Sequence, residues 1–219
     1  MPSVREVAPD LLSNIRTIIM RQLGLFVTRA EPTILVGQRG DVTYVPEFLD
    51  AALGAALVGE LAETTTWRAD SRMMYGRRVL VPRETAARGE RMPQSWTPML
   101  ARVRAIVESH AGTVFDYVFI NRYRNGHDSV AWHNDDDAEE DPRRVIASLS
   151  LGATRTFELR PLRASGLNYP KVAVEVAHGD LIMMQGDTQL NWEHRIPKEP
   201  RIAGERINLT FRQHRARQA

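Results

Sequence analysis

The stretch RINLTFR, residues 206–212, decides the fold class. One face of the extended chain would carry Ile207, Leu209 and Phe211, and the other would carry Arg206, Asn208, Thr210 and Arg212. This uninterrupted alternation predicts a β-strand. An ordinary strand of this kind has its apolar face in the core and its polar face in water. The two arginines, with a hydroxyl and an amide between them, also suit a short dicarboxylate, because each carboxylate can accept one guanidinium fork.

Similar short runs, rich in Val, Ile, Phe and Tyr, precede this stretch and are separated by Gly, Asn, Asp and Pro. They cover residues 117–123, 145–151, 156–159, 172–176 and 181–184. Many short strands at this spacing predict a sandwich or a barrel rather than a parallel sheet with crossover helices.

The first half of the chain has helical periodicity instead. One apolar stripe runs through residues 12–23 and ends at Gly24, and a second runs from Leu53 to Leu61 behind Asp50 as N-cap. A third follows Thr97 as N-cap and Pro98 at the first helical position, and it ends before Gly112. Helices followed by strands predict an α+β fold that is mainly β, a barrel buttressed by helices.

The amino-acid composition limits the kinds of metal site and of partner that the chain can have. The 219 residues fit one domain. Cysteine is absent, so a metal would have to be bound by His, Asp or Glu. The net charge is +2, and the only lysines are Lys171 and Lys198; this arginine bias permits nucleic-acid binding but is also typical of an arginine-rich genome. Neither a signal peptide nor a membrane-spanning run is visible, which predicts a cytoplasmic protein without membrane contact.

A candidate metal site lies in WHND, residues 132–135. His133 and Asp135 are two residues apart, so in an extended segment both side chains lie on one face. His194 stands at the end of another predicted strand. Two histidines and one carboxylate leave coordination positions open, as non-haem iron(II) sites require. A His-x-Asp pair alone is usually a surface feature. The acidic run that follows could be a solvated turn or a calcium loop, although Glu140 occupies the position where such a loop needs glycine.

Six segments, taken together, resemble the AlkB nucleic-acid dealkylases. They are NRYRNGHD (121–128), WHND (132–135), SLSLG (148–152), AHGDL (177–181), WEH (192–194) and RINLTFR (206–212). Their order and spacing match from about Tyr44 to Arg212. The combination is far more specific than any single segment.

The resemblance implies a double-stranded β-helix, or jelly-roll, with Fe(II) bound by His133, Asp135 and His194. It also implies that the co-substrate 2-oxoglutarate is contacted by Asn121, Tyr123, Arg206, Asn208, Thr210 and Arg212. Arg206 is assigned to the distal carboxylate. With O₂, such an enzyme converts 2-oxoglutarate to succinate and CO₂. It hydroxylates the N-methyl group of a damaged base, and the hydroxylated carbon then leaves as formaldehyde.

Two further segments are expected to bind the substrate. Asp136 would face a base made cationic by methylation, of the 1-methyladenine or 3-methylcytosine type; the alternative is an acid in a solvated turn. A hairpin over residues 72–81 would read the duplex, with Met74, Tyr75 and Gly76 at its tip and Tyr75 filling the gap left by a flipped base. The alternative is an ordinary exposed turn.

We therefore expect a single dioxygenase domain over residues 1–219. Residues 1–43 diverge from the family, residues 44–110 recognise the substrate around the 72–81 hairpin, and residues 111–213 form the catalytic jelly-roll core. The expected partner of this monomer is DNA with alkylated bases, and RNA is the alternative. Two alternatives stay open, an oxygenase acting on RNA, protein or a small metabolite, and a non-catalytic jelly-roll binder. The intact triad and the intact 206–212 strand argue against the second.

Overall fold

The computed structural model describes residues 31–74, 77–135 and 141–214. The strands are β1 (Thr33–Val36), β2 (Asp41–Val45), β3 (Arg68–Met74), β4 (Arg77–Gly89), β5 (Tyr117–Tyr123), β6 (Val130–His133), β7 (Ile146–Gly152), β8 (Arg155–Pro161), β9 (Val172–Val176), β10 (Leu181–Gln185), β11 (Trp192–Ile196) and β12 (Arg206–Arg212). The helices are α1 (Ala51–Thr64), α2 (Pro98–Ala111) and α3 (Thr188–Asn191), with a 3₁₀ turn at Arg163–Ser165. The helix predicted before Gly24 lies outside the described residues.

The strands form two antiparallel sheets. The large sheet has the order β1-β2-β10-β7-β12-β5-β4-β3, and the small sheet has the order β6-β11-β8-β9. This architecture confirms the predicted mainly-β, jelly-roll fold. All six apolar runs form strands, with ends that shift by one or two residues. The strands β1, β2, β6 and β11 are only four or five residues long, too short to give a strong period-two pattern of their own.

Strand β12 lies at the centre of the large sheet. It pairs with β7 on one side and with β5 on the other, and residues 206–211 are all buried. Ile207, Leu209 and Phe211 belong to the apolar cluster that the helices cover. The interpretation of residues 206–212 as a strand with one face in water is therefore wrong, because the polar face points between the two sheets.

Helices α1 and α2 cover the outer face of the large sheet and bury Leu57, Leu61 and Val103. Asp50 caps α1 as predicted, since its carboxylate accepts the backbone N–H of Leu53 at 3.0 Å. No helix in the described ranges is long and apolar enough to cross a membrane.

Helix α2 starts as predicted, with Thr97 as N-cap and Pro98 as its first residue, but its cap comes from another side chain. The hydroxyl of Thr97 makes no capping bond but donates to Glu60 of α1. The Glu60 carboxylate accepts the backbone N–H groups of Met99 and Leu100 at 3.1 and 3.2 Å, and so it caps α2 from outside the helix.

Candidate active site

The three predicted metal ligands lie together at one edge of the small sheet. Strands β6 and β11 are neighbours, with His133 directly opposite His194, and Asp135 follows β6. Their ligand atoms all lie within 4.8 Å of one another. Nε2 of His133 is 3.7 Å from Oδ1 of Asp135, and Nε2 of His194 is 3.9 Å from Oδ2. One ion can therefore contact all three side chains.

The protonation states suit a cation. Nδ1 of His133 donates to the carbonyl oxygen of Ala131 at 2.9 Å, which leaves Nε2 as the ring nitrogen that can bind a metal ion. Burial lowers the pKa of His194 to about 3, although Asp135 opposes this shift. Burial alone would raise the pKa of Asp135, but the charge of Arg212, followed by electrostatic interactions with His194 and His133, lowers it to about 2. At neutral pH, His194 is therefore a neutral imidazole and Asp135 is a carboxylate.

Two residues that the sequence did not indicate hold Asp135 in place. Its backbone N–H donates to Oε1 of Gln189 at 2.7 Å, and its carbonyl oxygen accepts Nη2 of Arg144 at 2.5 Å. Both side chains are buried. Neither belongs to a recognisable motif, because each partner lies far away in the sequence or in an irregular segment.

A cavity of about 430 Å³ opens from the candidate metal ligands into the space between the sheets; we call it the inner cavity. All six residues predicted to contact 2-oxoglutarate line it: Asn121, Tyr123, Arg206, Asn208, Thr210 and Arg212. They lie together because β5 and β12 pair in register, with Arg206 opposite Tyr123 and Asn208 opposite Asn121.

Arg206 is a buried cation at one end of this cavity. It is 2% exposed, and its Nη2 donates to Oγ of Ser150 at 2.8 Å. Its guanidinium carbon lies 5.3 Å from the centre of the Tyr123 ring. Nε and Nη1 have no hydrogen-bond partner, and no carboxylate in the described part of the chain forms an ion pair with them. Burial lowers the pKa of Arg206 to about 10, so it remains charged at neutral pH.

Arg212 lies at the metal end and has a different environment. Its Nη2 is 2.7 Å from Oδ1 of Asp135. Between the two arginines, Asn208 donates to Oγ of Ser148 at 2.8 Å and accepts Oγ1 of Thr210 at 3.2 Å. The arginines are therefore not equivalent, since Arg212 pairs with a candidate metal-ligand carboxylate and Arg206 has donors without a partner among the described residues.

A second concavity of about 600 Å³ lies outside the metal site; we call it the outer groove. It is formed by residues 80–83 of β4, residues 129–133 and residues 195–198. Arg83, Val130, His133 and Ile196 line both spaces, so the groove leads to the candidate ligands.

The structure does not describe every residue expected to bind the substrate. Tyr75, Gly76 and Asp136 lie outside the described residues, and so does the side chain of Met74, which ends β3. Strands β3 and β4 form an antiparallel pair on either side of residues 75 and 76.

Comparisons with known proteins agree with this geometry. The family model for the 2OG-Fe(II) oxygenase superfamily matches residues 41–212. Human "Alpha-ketoglutarate-dependent dioxygenase alkB homolog 3" is 35% identical over 187 residues, which cover 78% of this chain and 65% of that protein. Mouse "DNA oxidative demethylase ALKBH2" is 37% identical over 155 residues, 64% of each chain. This chain thus spans a little under two thirds of the length of these curated relatives.

A solved structure described as "The structure of OsALKBH1" has the same fold, with a TM-score of 0.61 at 17% identity over 82% of this chain and all of the other. The relatives confirm the resemblance to the AlkB type. The match over residues 41–212 shows that the chain belongs to the 2OG-Fe(II) oxygenase superfamily.

Proposed function

We propose that this protein is an Fe(II)- and 2-oxoglutarate-dependent dioxygenase that removes alkyl groups from the bases of DNA. The proposal rests on one cavity with two different ends, one suited to a metal ion and the other to an anion. At one end, two imidazoles and a carboxylate converge within 4.8 Å. At the other, Arg206 is buried with two donors that have no partner among the described residues. A small dianion such as 2-oxoglutarate complements both ends.

The donor set fits the family's cofactors. His133, Asp135 and His194 would hold Fe(II), a metal that this set of two histidines and one carboxylate suits. Arg206 would bind the distal carboxylate of 2-oxoglutarate, with Tyr123 and Asn121 beside it. When bound, iron with 2-oxoglutarate and O₂ supplies the oxidising power to hydroxylate an N-alkyl carbon, which is then lost as an aldehyde.

The chain's own residues prepare this chemistry. The polar face of β12 presents a row of donors along the cavity, and the sheet pairing with β5 and β7 fixes their spacing. Phe157, Met184 and Ile196 give the wall around His194 an apolar surface that limits water. Arg212 keeps Asp135 deprotonated, so that carboxylate is ready to bind a cation without first losing a proton.

The substrate class rests on the relatives and on the outer groove. One relative's name states that it is a DNA oxidative demethylase. The groove that leads to His133 carries Arg83, Arg195 and Lys198, which suit a phosphate backbone. The roles of Asp136 against a cationic base and of Tyr75 in a duplex stay predictions, as do the monomeric state and the cytoplasmic location.

Formaldehyde release from DNA oligonucleotides with 1-methyladenine or 3-methylcytosine tests the proposal. With Fe(II) and 2-oxoglutarate, the wild-type protein should release formaldehyde and form succinate. His133→Ala and His194→Ala should abolish both products. His127→Ala is the matched control, because this exposed histidine lies six residues from His133 and outside both spaces.

The possible outcomes separate the parts of the proposal. Succinate formation that persists in His133→Ala contradicts the metal site. Succinate formation without formaldehyde from any methylated oligonucleotide leaves an oxygenase but contradicts the substrate. A matched RNA oligonucleotide that is strongly preferred contradicts DNA as the polymer.

A further inference from the structure

The outer groove combines a positively charged rim with an apolar floor. Its rim carries three cations, Arg83, Arg195 and Lys198, and no acidic residue is among the described residues that line it. Its floor is apolar, and Leu80 is 69% exposed there. An apolar surface bordered by these cations complements a polymer with flat bases and anionic phosphates.

Trp132 gives this groove a stacking surface. It precedes His133 in β6, so it faces outward where His133 faces the metal site. The guanidinium carbons of Arg160 and Arg195 lie 4.1 and 4.6 Å from the centre of its ring. Both guanidinium groups remain accessible, with side-chain exposures of 42% and 34%. Bases stack on indole rings and on guanidinium planes alike.

Carboxylates on the same sheet face hold the two arginines in place. Arg160 donates to Glu193 at 2.6 Å, and Arg195 donates to Glu158 at 2.5 Å. Such pairs fix the planes of the guanidinium groups, which lowers the entropy that they lose when a base stacks on them.

We propose that the outer groove binds single-stranded nucleic acid, with a base next to the target stacked on Trp132 and its arginines. Lys198 and Arg83 contact the phosphates on either side. A single strand is the occupant because a base can reach Trp132 only when it is free of its pairing partner and its stacked neighbours. The inference rests on the proposed function, since the groove leads to the metal ligands through His133.

Binding of an unmethylated, fluorescently labelled DNA single strand tests the groove without any catalysis. Stacking is worth roughly 1–3 kcal/mol per base, so Trp132→Leu should weaken binding about tenfold. Trp132→Phe keeps an aromatic ring and should retain most of the affinity. Trp67→Leu is the matched control, because Trp67 also lies against an arginine, Arg122, but outside the groove, and its loss should leave the affinity unchanged.

The two lysines of the chain provide a second, independent test of the groove. Lys198 is exposed at the groove rim, whereas Lys171 pairs with Glu158 outside it. Loss of one phosphate contact should reduce the slope of log affinity against log salt concentration by about 0.7 for a single strand. Lys198→Gln should show this reduction, and Lys171→Gln should keep the wild-type slope.

Equal affinities of Trp132→Leu and Trp67→Leu, or equal salt slopes of the two lysine variants, would overturn the inference. So would a duplex of the same sequence that binds as tightly as the single strand and is equally sensitive to Trp132→Leu. Groove-dependent binding without formaldehyde release would contradict the proposed function alone. Formaldehyde release, together with a single-strand affinity that is unchanged in Trp132→Leu and a salt slope that is unchanged in Lys198→Gln, would contradict the groove alone.

Discussion

At the scale of single residues, Arg206 is the most informative side chain. A buried cation without an opposite charge is costly, and its partners in the described structure are the neutral Ser150 and Tyr123. A protein can retain such a destabilising residue where an anionic ligand supplies the missing charge. Arg206 should therefore contribute to co-substrate binding and lower the stability of the ligand-free protein.

We predict that Arg206→Met separates these two effects. The affinity for 2-oxoglutarate should fall by about 3–5 kcal/mol, because the buried carboxylate loses its partner. The free energy of unfolding of the ligand-free protein should stay unchanged or rise, because an apolar side chain of similar length replaces an unpaired charge. A titration with 2-oxoglutarate followed by tryptophan fluorescence, together with urea unfolding, measures both quantities.

The control for this substitution is Arg163→Met, which removes an exposed arginine outside the inner cavity and should change neither quantity. An Arg206→Met protein that binds 2-oxoglutarate as the wild type does would remove this residue from the site. A large loss of stability would mean that its contacts with Ser150 and Tyr123 are structural.

At the scale of elements, the geometry of the site depends on the packing of helices α1 and α2 against the large sheet. Helix α2 begins at Pro98, and its first free N–H groups have no partner from the preceding turn. Glu60 supplies a carboxylate from α1 and so links the two helices that cover β7 and β12. The negative charge also complements the positive end of the α2 dipole.

Glu60→Ala should lower the free energy of unfolding by about 1–2 kcal/mol, the usual cost of losing a helix cap. Urea unfolding of the purified variant measures this change. Glu63→Ala, at an exposed position one turn further along the same helix, is the matched control and should have little effect. Equal stabilities of the two variants would show that Glu60 does not act as a cap.

At the scale of the whole molecule, Arg155 joins the small sheet to the loop that leads from β5 of the large sheet to β6 of the small sheet. This guanidinium is fully buried at the start of β8 in the small sheet. It donates to the carbonyl oxygens of Asp128, after β5 of the large sheet, and of Pro197, after β11. Its charge is balanced by Glu199 at 2.8 Å, whose carboxylate also accepts Oγ1 of Thr156.

Stability should depend on pH through Glu199. Burial alone would raise the pKa of its carboxyl, but hydrogen bonds from Arg155 and Thr156 outweigh burial and lower the pKa. A carboxyl with a lowered pKa stabilises the fold above its unfolded pKa of about 4.3, and this contribution is lost as the pH falls through the folded value. Glu199→Gln should therefore be less stable than the wild type at pH 7, and the difference should shrink below pH about 4.

Urea unfolding between pH 7 and pH 3 measures this convergence. Glu175→Gln, at an exposed position of β9, should follow the wild-type curve throughout. A difference for Glu199→Gln that is the same at both ends of the range would mean that the charge of the carboxylate is not what stabilises the fold.

Local patterns in the sequence were enough to predict the features that depend on neighbouring residues. The alternation of residues 206–212 predicted β12 with its exact bounds, and the Asp50 cap predicted where α1 begins. The spacing of His133 and Asp135, together with the wider motif set, identified three side chains that the fold brings within 4.8 Å. These features are visible in the sequence because backbone geometry repeats over two to four residues.

The positions of those elements and the contacts of their polar atoms depend instead on the three-dimensional packing of the chain. The alternation of β12 is equally compatible with a polar face in water, and its position between β5 and β7 turned that face toward the inner cavity. The partners of Met99, Asp135 and Arg206 are 39, 54 and 56 residues away in the sequence. Contacts at such separations follow from sheet order and helix packing, which no local pattern of residues encodes.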